Sequence, residues 1–114
     1  MAITILTDKP AALLANITKQ IEEKKIKTWS IYKNEYFTHT PPQWINKAWL
    51  RPRILEEKLI FNIVPPQKTT LSSEIYAVYH GRFIEMLLAH VDSQFRSASA
   101  SALATSGDII KVAN

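Results

Sequence analysis

The spacing of apolar residues changes several times along the chain, and each change marks an element. Ile3, Ile5 and Leu6 open with a short β-prone run. Leu13, Leu14, Ile17 and Ile21 then recur at intervals of three and four, with Lys19, Gln20, Glu22 and Glu23 on the other side, which predicts an amphipathic helix over residues 9–25. Thr7-Asp8-Lys9-Pro10 supplies its start, with Asp8 or Thr7 as N-cap and Pro10 in the first turn.

From Ile26 the period becomes two. Aromatic and β-branched residues over 27–32 and 35–39 predict two antiparallel strands, with the polar Lys33-Asn34 pair as their hairpin turn. Pro41-Pro42 ends the second strand, because consecutive prolines lack ladder donors, and Thr40 is expected to cap a short helical turn over 43–47. Residues 48–54 and 59–64 predict a further strand pair, joined by a turn at Leu55-Glu56-Glu57-Lys58 and stopped by Pro65-Pro66. Pro52 requires its strand to be an edge or to bulge there.

The strongest periodic segment runs through Ile75, Val78, Tyr79, Phe83, Met86, Leu87, Val91 and Phe95. Ser72 is placed to cap it and Leu71 with Tyr76 to form a hydrophobic staple, so a helix is expected over 73–95, roughly 34 Å long. Ile84 and Leu88 widen its apolar stripe beyond what a small sheet covers. The Ser/Ala alternation from Ser97 to Ala102 carries little apolar area, so residues 97–114 are expected to form a flexible tail. Ile109, Ile110 and Val112 offer an alternative docked strand near its end.

These elements specify an α+β fold: a two-layer arrangement of about four antiparallel strands against an N-terminal helix and a long C-terminal one. Residues 1–96 form the expected single domain. With 46% hydrophobic and 21% charged residues in 114, the chain has globular composition. The absence of cysteine excludes disulfides, a thiolate nucleophile and a Cys-based zinc site, and favours the cytoplasm. No apolar run approaches the roughly 20 residues that cross a bilayer, so no membrane association is expected. A net charge of +4 permits an acidic partner without requiring one.

Chemistry-bearing residues are sparse. His80 and His90 lie about 80° and roughly 15 Å apart on one helix, which excludes a shared metal within the chain, and neither metal nor cofactor is expected. Alternation puts Lys47, Trp49, Arg51 and Arg53 on one strand face, where guanidinium groups meet phosphates and an indole stacks on a base. Gly81, inside a helix, points to close approach of another backbone or to a bend. The leading expectation is a non-enzymatic homodimer that associates through Tyr76, Tyr79, His80, Gly81, Phe83 and Leu87 of the last helix. The alternative is a nucleic-acid-binding module using Lys47, Trp49, Arg51 and Arg53. A third reading is a small ribonuclease built on His39, His80, Arg51, Arg53 and Arg82.

Overall fold

In the computed structural model, residues 2–102 are described. The chain runs β1 (Ala2–Leu6), α1 (Pro10–Glu22), β2 (Trp29–Tyr32), β3 (Tyr36–His39), β4 (Trp49–Leu55), β5 (Lys58–Val64), α2 (Ser73–His90) and β6 (Ser97–Ala100), with a 3-10 turn at Asp92–Gln94. The fold is α+β. Its sheet has six strands rather than about four, in the order β2-β3-β4-β5-β1-β6, and every neighbouring pair is antiparallel. The two extra neighbours are β1, which pairs with β5 (Ile3↔Phe61), and β6, which pairs with β1 (Ile5↔Ala98).

Alternation gives the sheet two unlike faces. Ile3, Ile5, Phe37, Leu50, Leu59, Phe61 and Ile63 point one way and are fully buried. Leu13 and Ile17 of α1 and Tyr79, Phe83, Met86 and Leu87 of α2 join the same core. Phe83 is its hub: its ring lies 4.5 Å from Phe61, 5.0 Å from Trp29 and 6.2 Å from Phe37. Edge-to-face contacts of this kind add to the area term.

Local chemistry explains where the elements stop. The paired Tyr32 and Tyr36 bracket a three-residue turn, in which Lys33 and Asn34 take positive φ, 52° and 58°, and Glu35 N donates to Tyr32 O at 3.1 Å. Helix α1 ends earlier than residue 25 because Lys24 turns left-handed (φ 60°) and Lys25 N donates to Gln20 O at 2.9 Å, closing a Schellman motif. Neither Thr7 nor Asp8 caps α1. Its N-cap is Lys9, while Thr7 Oγ1 donates to Gln94 O and Asp8 pairs with Arg96. Ser72 does cap α2, accepting from Ile75 N at 3.2 Å.

Three further expectations are corrected. Thr40 donates its hydroxyl to Lys27 O instead of capping a helix, and residues 43–47 form turns. Helix α2 stops at His90, because the chain must reverse through the 3-10 turn to bring the next segment back to β1. That segment is β6, so Ser97–Ala100 is ordered strand where the Ser/Ala composition implied a tail. The open edge of β1 supplies the backbone partners that composition does not reveal. Residues 103–114, with Ile109, Ile110 and Val112, lie outside the described residues. Pro52 fits its strand because the β3–β4 ladder is confined to Phe37↔Leu50, and past it only β5 pairs with β4.

Candidate functional site

Among the described residues no helix covers the second face of the sheet. Trp49, Arg51 and Arg53 alternate onto it, opposite Val64, Asn62 and Ile60 of β5. Tyr36 joins them, since its neighbour Phe37 shares the buried face with Leu50, and Tyr32 pairs directly with Tyr36. Lys47 does not belong to this group. It is exposed in the bend before β4 and lines a separate hollow with Trp44 and Glu74.

Tyr32, Tyr36, Trp49, Val64, Pro65 and Pro66 line an open, mostly apolar cleft of about 270 Å³. Tyr32 is 54% exposed, so one wall of the cleft is an open phenol ring, and Lys33 Nζ sits 5.3 Å from that ring's centroid. The indole N–H of Trp49 is buried with no hydrogen-bond partner among the described residues. Beside the cleft, Arg53 Nε donates to Asn62 Oδ1 at 2.9 Å, and Asn62 is fully buried, which fixes the Arg53 side chain across the sheet. Aromatic surface and three cations, Lys33, Arg51 and Arg53, thus occupy one side of the protein.

The residues expected at an oligomer interface are placed elsewhere. Tyr79, His80, Phe83 and Leu87 are buried in the chain's own core, and Tyr76 is half-buried with its hydroxyl donating to Ser101 O at 2.6 Å. A second chain cannot reach the four buried side chains without opening the core. Tyr79 has an internal task instead: Asn46 N donates to Thr38 Oγ1, Thr38 donates to the Tyr79 hydroxyl, and Tyr79 donates to Trp44 O. This chain of hydrogen bonds ties the 40–48 loop to α2. Gly81 alone of the six is exposed, and a Cβ built there meets nothing within 4 Å. No backbone in the described chain approaches it.

The ribonuclease constellation is not assembled. His39 Nδ1–H donates to Thr28 O at 2.8 Å, with its ring 4.8 Å from Trp29. Burial holds its pKa below the ordinary value, Arg82 lowers it further, and the Thr28 carbonyl and Glu85 pull the other way. His80 Nδ1–H donates to Tyr76 O at 2.8 Å. Both rings lie on the helix side of the sheet, away from Arg51 and Arg53. Among the described residues no group of three potential metal ligands occurs, and no helix is long and apolar enough to cross a membrane.

The sequence reading missed Tyr32 and Tyr36. Their signal was available: both flank the Lys33-Asn34 turn at positions that alternation puts on one face, and only the β3–β4 pairing was needed to bring them to Trp49. In comparisons with family models, curated proteins and solved structures, nothing matches this chain.

Proposed function

We propose that this protein is a binding module for single-stranded nucleic acid, without catalysis, acting in the cytoplasm. The supporting observation is the shared sheet face on which Tyr32, Tyr36 and Trp49 line an apolar cleft next to Lys33, Arg51 and Arg53. Single strands expose the flat faces of their bases, which stack on aromatic rings whatever the sequence, and cations beside the rings follow the phosphates. The positive net charge supports the same partner. The cytoplasmic setting rests on the cysteine-free composition.

Fluorescence anisotropy with labelled single-stranded DNA and RNA at about 50 and 200 mM salt tests the proposal. Neutralising three phosphates gives a slope of about −2 in log affinity against log salt. Trp49→Ala is expected to weaken binding by about 1–3 kcal/mol if a base stacks there, whereas Arg51→Ala lowers the salt slope. Absence of binding at the lower salt overturns the reading.

A further inference from the structure

The two edges of the sheet are protected unequally. The β2 edge follows Lys24, Lys25 and Lys27 and leads into Lys33, so charge guards it against other strands. The β6 edge is guarded less, because the charge that precedes it, Arg96, is paired with Asp8. From Ser97 to Ala102 it carries no charge and no proline, and among the described residues no strand pairs with its outer side. Ser101 N donates to Ala2 O, so the alternation of an antiparallel ladder turns Ser99 toward β1 and the backbone N–H and C=O of Ala98 and Ala100 outward.

That pattern is self-complementary. A two-fold axis through Ser99 would place Ala98 opposite Ala100 of a second copy, twice, and Ser99 opposite its own counterpart. All four outward N–H groups of the two chains then meet outward carbonyls. The register preserves the faces, because alanine lies opposite alanine on the core side and serine opposite serine on the other.

Helix α2 provides an independent observation. Its core stripe is Tyr79, Phe83, Met86 and Leu87, but Ala77, Gly81, Ile84 and Leu88 form a second row at spacings of four, three and four, in which Ile84 also packs partly against the core. Leu88 is 57% exposed. The Ala77 end of the row lies toward β6, where Tyr76 reaches Ser101 and where Ala77 and Ala102 line one hollow, while Gly81 lines another with Val78, Arg82 and Glu85. Helix α2 touches β1 and β6 as well as β3, so part of it stands over the β6 side of the sheet. Gly81, where no described residue lies within 4 Å of an added Cβ, is the residue type such a contact uses.

We infer that the protein forms a two-fold dimer in which β6 pairs with β6 of a second copy and the Ala77–Gly81–Ile84–Leu88 rows pack together above the joint. The sheet becomes continuous across both copies. This inference is independent of the nucleic-acid reading and is tested without nucleic acid.

Sedimentation of the full chain at tens of micromolar is expected to give a dimer. Ser99→Lys, which sets two ammonium groups against each other at the axis, and Leu88→Glu, which alters an exposed position, are each expected to raise the dimer dissociation constant at least tenfold. Their circular dichroism and melting should stay those of a folded chain. Amide hydrogen exchange at Ala98 and Ala100 reads the same edge and is expected to slow as protein concentration rises. A monomer at 100 μM overturns the inference, as does a dimer indifferent to both substitutions. Protection of the two amides that does not vary with concentration also overturns it, since the occupant is then part of the same chain.

Discussion

The two faces of one sheet differ in what neighbouring strands ask of their side chains. On the helix side, Phe37, Phe61 and Phe83 interlock with Trp29, and every large residue is fixed by several others. On the other side, Tyr32 is exposed and Tyr36, Trp49 and Arg51 are only partly buried. Substitutions of the large residues on the first face are expected to cost more stability than substitutions of the exposed rings on the second.

Phe83→Ala is the largest expected breach of that contrast, at about 3–5 kcal/mol of stability, because it removes the ring that joins α2 to three strands. Tyr32→Ala on the open face should stay within about 0.5 kcal/mol. Urea denaturation of both variants measures the difference, and equal losses would erase it. Thr38→Val comes next, at about 1–3 kcal/mol, since it leaves Asn46 N without an acceptor in the hydrogen-bond chain through Tyr79.

Gly81→Ala has the opposite sign. In the monomer, at low concentration, it should stabilise by about 0.5–1 kcal/mol, as a helix-interior glycine with open space above it gains from a methyl group. A thermal melt at sub-micromolar concentration checks this, and destabilisation would show that something already packs on Gly81 there.

The smallest effect is a pH dependence from the helix side. His39 has a lowered pKa in the folded state through burial. Below about 6.5 the unfolded chain takes up a proton that the folded chain resists, so stability falls with pH until the folded ring also protonates. His39→Asn, which keeps a donor toward Thr28 O, should flatten the difference between urea midpoints at pH 7.5 and 5.5. An unchanged difference would assign the acid sensitivity to other groups.

Much of the candidate site was legible because strand alternation is strictly local. Trp49, Arg51 and Arg53 share a face in any unbulged strand, and neighbouring strands need not be known. Lys47 failed the same argument because the strand begins two residues after it, and boundaries depend on where a partner strand offers hydrogen bonds. The helix-interface expectation failed for a different reason. A wide apolar stripe reports burial but not by what, and the chain's own fold buries Tyr79, His80, Phe83 and Leu87.

By itself the sequence determined the α+β class, the Lys33-Asn34 hairpin, the Ser72 cap and the core stripes of both helices. Each depends on side-chain spacing or on dihedral preferences within a few residues. Only the tertiary structure decided that β1 lies between β5 and β6, that the Ser/Ala segment is a strand, and that two hairpin tyrosines stand beside Trp49. Those facts rest on backbone groups far apart in the chain finding one another. The peptide N–H and C=O that pair Ile5 with Ala98 are the same in every residue and leave no trace in the pattern of side chains.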